Sequence, residues 1–323
     1  MTPTTEPAID SLALFAREVL AGLGHDGQKT LPSRYLYDAL GSKLFEAISL
    51  LPEYGLTRAD ERLLRQYSRE IVRHVPCPAL VSELGSGNGR KSRWILSAMC
   101  EREPLSYYPI EISRTALAAC ESELRDMGSV SIVGVERDYL DGLREVAALR
   151  PAGAHLLLMF LGSTIGNFDS GADGRFLREV RSQLLRGDSL LLGTDLLQSP
   201  AEMLKAYDDP LGVTAAFNLN LLVRINRELD GNFDLSQFGH MARFNEATSS
   251  VEMHIHSKTR QVVDIRRIPC TVAFGDGESI WTETCHKYTR ETIAELAAAS
   301  GFRIEEQWID DEWPFAESLL RAV

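Results

Sequence analysis

The residues best suited to chemistry form a glycine-rich turn at Gly85–Gly89, which joins an apolar run at Ala79–Glu83 to a helical segment from Lys91. Glycines let the backbone turn sharply and let a ligand approach it closely, and the following helix N-terminus favours polar or anionic groups. The spacing is G-x-G-x-G rather than the G-x-G-x-x-G of dinucleotide sites. With the acid Glu83 just ahead of the turn, this pattern favours a nucleoside without a pyrophosphate, such as S-adenosylmethionine. It therefore indicates a methyltransferase, with a bare strand-to-helix turn as the alternative.

Further polar residues follow the next strand-like runs, where ligands of open parallel sheets bind. Glu111 follows the second run and can accept hydrogen bonds from both ribose hydroxyls, with a solvated acid at a strand end as the alternative. After the third run, Asp138 can accept from an adenine amino group and Tyr139 can pack against the purine. A helix N-cap explains Asp138 almost as well. Lys91, at the start of a helix, can bond the carboxylate of the cofactor, although a lone lysine more often faces solvent.

The fourth run ends in Phe160–Asn167, where glycine and small polar residues precede an asparagine. Gly162 is expected at the cofactor, and Asn167 is expected beside its sulfonium group. Because an asparagine amide both donates and accepts hydrogen bonds, Asn167 suits a group that carries an amine and a carboxylate.

Apolar runs that alternate with helical patterns position these residues. This alternation predicts right-handed βαβ units and a parallel sheet covered by helices on both faces. The predicted strands are Ala79–Glu83, Leu105–Ile110, Val130–Val135, His155–Leu161 and Ser189–Gly193.

After Asp195 the pattern changes to two helices and then short alternating stretches, which predict antiparallel strands. Gly275-Asp276-Gly277 is predicted as a hairpin turn, and the apolar tail at 302–322 is predicted to return to the main sheet. The fold class is therefore α/β: a doubly wound, Rossmann-like methyltransferase sheet with a second, smaller α+β substrate-binding lobe. We expect residues 62–195 plus 287–323 to bind S-adenosylmethionine and residues 1–61 plus 196–286 to bind the substrate.

Composition narrows the possible partners. The chain has 323 residues and a formal net charge of −12, and it lacks the basic cluster that nucleic acid or an anionic membrane needs. Its five scattered cysteines favour a reducing compartment over a disulfide framework. Residues 1–10 do not look like a signal peptide, and no run of apolar residues is long enough to cross a membrane. We expect a cytoplasmic monomer that acts on a small molecule.

Long, uncommon strings over nearly the whole chain give a more specific indication. The sequence resembles the histidine Nα-methyltransferases of ergothioneine biosynthesis. The strings that carry the resemblance include Leu51-Pro52-Glu53-Tyr54, Glu83-Leu84-Gly85-Ser86-Gly87, Phe160-Leu161-Gly162-Ser163-Thr164-Ile165-Gly166-Asn167, Ala206-Tyr207-Asp208-Asp209 and Gly212-Val213-Thr214-Ala215-Ala216-Phe217-Asn218.

The resemblance implies roles for the matching positions. Asn167 and Tyr207 would hold the amino-carboxylate end of the substrate, with Tyr37 as a further donor to the carboxylate. Tyr54 and Glu283 would contact the imidazole. Met253 would line the pocket, and Cys285 stands where the family usually has a serine that bonds the imidazole. The implied cofactor positions are Gly85, Lys91, Glu111, Asp138 and Tyr139.

Strand alternation supports the pocket independently, because it places Glu283 and Cys285 on one face of their strand. Taken alone, Met253 is better explained as ordinary core. His254 and His256, two residues apart on a predicted strand, could suggest a metal. Without a third convergent ligand they are better interpreted as surface histidines, and no metal site is predicted.

The predicted reaction is the transfer of up to three methyl groups from S-adenosylmethionine to the α-amine of histidine, which gives hercynine. Asn167 would orient the amine, and Tyr54 would tolerate the growing ammonium charge. One alternative is an Nα-methyltransferase that acts on another amino acid, such as tryptophan or a histidine derivative. The other is a cofactor-binding protein without catalytic activity.

Overall fold

The computed structural model describes residues 11–24, 26–169 and 171–323, so the predicted absence of a signal peptide in 1–10 lies outside the described residues. No helix in these ranges is long and apolar enough to cross a membrane. The helices are α1 (Ser11–Leu23), α2 (Ala39–Ile48), α3 (Leu56–His74), α4 (Arg93–Cys100), α5 (Arg114–Glu123), α6 (Tyr139–Ala148), α7 (Ala172–Gln183), α8 (Pro200–Tyr207), α9 (Val213–Leu229) and α10 (Arg290–Ala299).

In the part of the chain that the structure describes, the strands form three sheets. They are β1 (Lys29–Thr30), β2 (Ala79–Leu84), β3 (Leu105–Ile110), β4 (Val130–Ile132), β5 (His155–Phe160), β6 (Ser189–Asp195), β7 (Phe238–Asn245), β8 (Ser250–Ser257), β9 (Gln261–Ile265), β10 (Cys270–Phe274), β11 (Ser279–His286), β12 (Phe302–Ile309) and β13 (Phe315–Ala322).

The chain divides into two compact units. The larger is Gly55–Gln198 with His286–Val323, and the smaller is the described part of Met1–Tyr54 with Ser199–Cys285. The first boundary lies ahead of the predicted one at 61/62. The physical reason is α3, which begins at Leu56 and packs along β12 and β13 of the larger unit. An amphipathic helix stays with the sheet that covers its apolar face.

The larger unit contains a seven-stranded sheet in the order β12-β13-β6-β5-β2-β3-β4. Strands β2 to β6 are parallel, and β13 lies antiparallel between β6 and β12. The predicted parallel strands and the return of the tail to this sheet are confirmed. The central strands are continuous apolar runs because helices cover both of their faces, and β5 is buried from Leu156 to Phe160. Helices α6, α7 and α10 contribute to the core on one face.

The smaller unit contains a four-stranded sheet in the order β1-β11-β8-β7 and a separate β9-β10 pair. Strand β7, which the sequence analysis missed, pairs antiparallel with β8 along its whole length. The prediction of a hairpin at Gly275–Gly277 is wrong, because β10 pairs with β9 while β11 lies between β1 and β8. This turn instead bonds the end of β8, where Gly277 N donates to the Ser257 carbonyl at 2.9 Å.

Candidate active site

The glycine turn of the larger unit is linked to the predicted ribose acid. Gly85 and Gly87 have φ of 69° and 54°, in the left-handed region that favours glycine. The Gly87 amide donates to Glu111 Oε2 at 3.3 Å, and Glu111 Oε1 accepts from the Ser113 amide at 3.1 Å. The structure therefore brings Glu111, which follows β3, to the turn that follows β2.

Glu83 lies under this turn rather than in a position to meet a ligand. Its side chain is buried and accepts hydrogen bonds from Ser92 and Tyr107. Burial raises the pKa of Glu83 to about 7, although the bonds from Ser92 and Tyr107 oppose this rise. The residue therefore anchors the turn to the sheet and to the start of α4.

Tyr139 and Asp138 lie at the start of α6. A β-carbon on Gly85 would lie 3.1 Å from the hydroxyl oxygen of Tyr139, so this ring borders the glycine turn. Burial raises the pKa of Tyr139 to about 12, so its hydroxyl is neutral at physiological pH. Asp138 Oδ1 accepts from the Asp141 amide at 2.9 Å, which is the helix-capping role that the sequence left open.

Lys91 and Gly162 meet at a buried carboxylate that the sequence analysis did not identify. Asp60, on α3, pairs with the Lys91 ammonium and accepts from the Gly162 amide at 3.0 Å. Glu317, on β13, is fully buried, and burial together with the charge of Asp60 raises its pKa well above the ordinary value. Burial works to lower the pKa of Lys91, but the charge and the hydrogen bond of Asp60 oppose burial, and the pKa of Lys91 is raised above its ordinary value. The sequence feature that could have identified Asp60 is an acidic residue on the apolar face of an amphipathic helix.

Asn167 ends a short 3₁₀ helix, Thr164–Asn167, that follows β5. Ser163 starts this helix in the left-handed conformation, and its Oγ accepts from the Asp195 amide at 2.9 Å. The Asp195 carboxylate in turn accepts from Lys287 at 2.6 Å and from the Trp313 indole at 2.9 Å. A buried ion pair thus fixes the end of β6, to which the segment that carries Asn167 is bonded.

In the smaller unit, an aromatic cluster brings together three predicted substrate residues. The rings of Tyr54 and Tyr207 lie edge to face with centroids 6.1 Å apart. Phe45 lies 6.2 Å from Tyr54 and 5.5 Å from Tyr37, and Phe217 lies 5.4 Å from Tyr37. Tyr54 and Tyr207 are buried, whereas Tyr37 is exposed. The sequence analysis named Phe217 only within a longer string and assigned no role to Phe45 or Phe217.

Asp38, next to Tyr37, joins this cluster to α9 through hydrogen bonds. Its carboxylate accepts from Asn220 at 2.8 Å and from Arg227 at 2.7 Å, and it caps α2 through the Gly41 amide. Burial works to raise the pKa of Asp38, but the bonds from Arg227, Gly41 and Asn220 outweigh it and hold this pKa below its ordinary value. The carboxylate is therefore ionised while it holds α2 against α9.

Met253 lies on β8, and Glu283 and Cys285 lie on β11, the neighbouring strand; all three side chains are buried. The interpretation of His254 as a surface residue is wrong, because it is fully buried. Its ring nitrogens lie 3.2 Å from Glu252 Oε2 and from Ser279 Oγ, and the Trp281 ring stacks on it. Within 11–24, 26–169 and 171–323, no group of three or more His, Cys, Asp or Glu side chains could hold a metal.

A mostly parallel sheet with a glycine turn after β2 and an acid after β3 that accepts from this turn is typical of S-adenosylmethionine-dependent methyltransferases, and the chain is one of them. Residues 15–322 match the family described as histidine-specific methyltransferase, SAM-dependent, and the chain belongs to that family.

Curated relatives span nearly the whole chain. The histidine N-alpha-methyltransferase of Mycobacterium tuberculosis (strain CDC 1551 / Oshkosh) is 41% identical over 94% of this chain and 93% of its own length. The enzyme of the same name from Mycolicibacterium smegmatis is 38% identical over 97% of this chain and 96% of its own. The L-tryptophan methyltransferase of Psilocybe serbica is 26% identical over 92% of this chain and 89% of its own.

Proposed function

We propose that the protein transfers methyl groups from S-adenosylmethionine to the α-amino group of L-histidine, three times in succession, to give hercynine, the first step of ergothioneine biosynthesis. The observation that carries this proposal is the match of residues 15–322 to a histidine-specific family. The tyrosine cluster in the smaller unit and the glycine turn in the larger one support it, because they offer the two kinds of group that such a reaction needs.

For the larger unit we propose binding of S-adenosylmethionine. The Lys91 ammonium, which pairs with Asp60, can also pair with a carboxylate of the cofactor. A β-carbon on Gly162 would lie only 3.2 Å from this ammonium, so the glycine keeps a side chain from crowding it. The Glu111 carboxylate is already oriented by two backbone amides. The cofactor supplies a methyl group activated by a sulfonium. The residues proposed to hold it are Gly85, Lys91, Glu111, Asp138, Tyr139 and Gly162.

For the amino-acid substrate we propose contacts from Asn167 and from six further residues. The Asn167 amide orients the amine, and the Tyr207 and Tyr37 hydroxyls donate to the carboxylate. Tyr54 and Glu283 contact the imidazole, and the Glu283 carboxylate accepts its N–H. Met253 and Cys285 line this part of the pocket.

The proposed residues act mainly by orientation. The ammonium group of histidine becomes a trimethylammonium group, so three protons leave in all, one before each transfer. Asn167 holds the nitrogen lone pair in line with the methyl group, which lowers the entropic part of the barrier. The faces of the Tyr54 and Tyr207 rings stabilise the positive charge that each transfer places on nitrogen.

Incubation with S-adenosylmethionine and each free amino acid, followed by mass spectrometry, tests the function. We expect a gain of three methyl groups on histidine. Methylation of tryptophan instead would transfer the proposal to that substrate, and methylation of no amino acid would refute it.

Variants test the assigned residues. Glu283→Ala should lower kcat/KM for histidine at least roughly tenfold while cofactor affinity stays nearly unchanged, with Glu283→Gln, which retains an acceptor, as the matched control. Unaltered histidine kinetics in the alanine variant would remove Glu283 from the pocket. Asn167→Ala should slow methylation of every accepted amino acid, because Asn167 acts on their common end.

We further infer that the enzyme acts in the cytoplasm as a monomer, without a nucleic-acid or membrane partner. The net charge of −12 supports the inference about nucleic acid. The scattered cysteines support a reducing compartment.

A further inference from the structure

A buried polar network in the smaller unit is centred on Asn218 of α9, whose side chain is fully buried. Asn218 Nδ2 lies 3.1 Å from the His254 carbonyl oxygen and 2.9 Å from His240 Nδ1. Asn218 Oδ1 accepts from Thr282 Oγ1 at 2.7 Å. Because the His254 carbonyl only accepts, it fixes the orientation of the amide, with nitrogen toward it.

That orientation also fixes the tautomer of His240. The amide nitrogen of Asn218 can only donate, so His240 Nδ1 must be the acceptor, and the ring proton must lie on Nε2. His240 Nε2 then donates to the Tyr207 carbonyl at 2.7 Å. Burial is the main reason that the pKa of His240 is lowered, which favours the neutral ring that this network requires.

The network ends on three elements, α8, β8 and β11, each of which carries one or more of the proposed substrate residues. His240 bonds the main chain of Tyr207 at the end of α8. The Thr282 hydroxyl has one proton, which two acceptors share: Asn218 Oδ1 at 2.7 Å and the Met253 carbonyl oxygen on β8 at 2.9 Å. Thr282 also directly precedes Glu283 on β11, and side chains alternate along a strand, so the two project to opposite faces.

We propose that Asn218, His240 and Thr282 are positioning residues for the amino-acid substrate, which fix Tyr207, Met253 and Glu283 relative to one another through their main chains. The inference rests on the proposed function of this unit. Each member of the network bonds a group that is buried, so removal of one member leaves a partner unsatisfied and shifts the segment that carries it. Such a shift alters the amino-acid pocket and leaves the glycine turn and the other cofactor residues of the larger unit unchanged.

A matched pair at Thr282 is the central test. Thr282→Val keeps the shape of the side chain but removes the hydroxyl, and Thr282→Ser keeps the hydroxyl. Since the valine variant leaves Asn218 Oδ1 without its buried donor, we expect its KM for histidine to rise roughly tenfold. The KM for S-adenosylmethionine should stay within about twofold of wild type in both variants, and the serine variant should restore the histidine KM.

A pair at His240 checks the same network from the other side. His240→Ala should raise the KM for histidine, and His240→Gln, which keeps an N–H donor for the Tyr207 carbonyl, should recover part of the loss. Melting temperatures are measured throughout. The inference is overturned if the valine and serine variants share the same histidine KM, or if the KM values of both substrates rise together as the melting temperature falls.

The wild-type enzyme separates this inference from the proposed function. If it methylates an amino acid other than histidine, the proposed function fails, and that amino acid replaces histidine in the comparison. If it methylates none, calorimetric titration of histidine into the wild-type, Thr282→Val and Thr282→Ser proteins decides the question. An affinity lost in the valine variant alone supports the inference, and equal affinities or the absence of binding to all three overturn it.

Discussion

The hydroxyl of Tyr139 fills the space beside Gly85, at 3.1 Å from the position that a β-carbon would take. The two residues come from different loops, since Gly85 follows β2 and Tyr139 begins α6. The Tyr139 ring cannot easily move away, because it packs against Phe160 and Phe176 with centroid distances of 5.6 and 6.0 Å. A glycine is therefore required at position 85 for two reasons: its positive φ and the Tyr139 side chain packed beside it.

Gly85→Ala should accordingly destabilise the ligand-free protein more than Gly87→Ala. Both residues have positive φ, so both alanines carry backbone strain, but a β-carbon on Gly87 meets no heavy atom within 4 Å. We expect a difference of about 1 kcal/mol in the free energy of unfolding, measured by denaturant titration. Introduction of Tyr139→Phe should relieve the Gly85→Ala variant. Equal losses at the two glycines would contradict the argument.

Burial of Glu83 predicts a pH dependence of stability. Its pKa is about 7 in the folded protein and 4.5 in the unfolded chain. As the pH rises, the unfolded chain therefore loses this proton at a lower pH than the folded protein does. The contribution of protonated Glu83 to the free energy of unfolding is complete below about pH 4.5 and is lost as the pH rises to about 7. The loss amounts to roughly 3 kcal/mol. Glu83→Gln, which stays neutral, should lack this decline in denaturant unfolding measured across the window. Parallel curves for the two proteins would refute the assignment.

The sheet of the larger unit was predictable because its central strands are continuous apolar runs that end in turn residues. Strand β7 was not predictable, because Phe238–Asn245 contains a glycine and lacks clear alternation, and its conformation depends on pairing with β8. The wrong hairpin has a related cause. Gly275-Asp276-Gly277 signals a local turn, and a turn signal does not identify the strand that pairs beyond it.

The candidate site likewise contains residues that could be predicted from the sequence and residues that could not. The residues that bear the chemistry could be named from motifs and strand ends, and the structure brings Gly85 to Tyr139 and Tyr54 to Tyr207. The residues that hold them could not be named, because Asp60 and Asn218 act through partners far away in sequence. His254 was misplaced for the same reason: its ring stacks on Trp281 and lies 3.2 Å from Ser279 Oγ, and both partners are more than twenty residues away in sequence.

Cys285 offers a test of substrate selectivity. Its thiol is buried on the same strand as Glu283, and a thiol donates a weaker hydrogen bond than a serine hydroxyl does. Cys285→Ser should lower the KM for histidine roughly threefold without a change in kcat. Cys270→Ser, at another buried cysteine of the same unit, should leave the KM unchanged. A higher KM in the Cys285→Ser variant would show that the thiol is preferred.

Removal of the Tyr54 ring should change the distribution of methylated products. Each transfer replaces an N–H by a methyl group, so hydrogen bonds to the amine are lost stepwise and the last ammonium depends most on aromatic faces. Tyr54→Phe keeps the ring, which lies 6.1 Å from Tyr207, and should still yield trimethylhistidine. Tyr54→Leu removes it and should accumulate dimethylhistidine in time-resolved mass spectrometry, with the third transfer slowed roughly tenfold. Phe45→Leu removes a ring 6.2 Å behind Tyr54 and controls for loosened packing. If it gives the same accumulation, the effect comes from the cluster as a whole and not from the Tyr54 face.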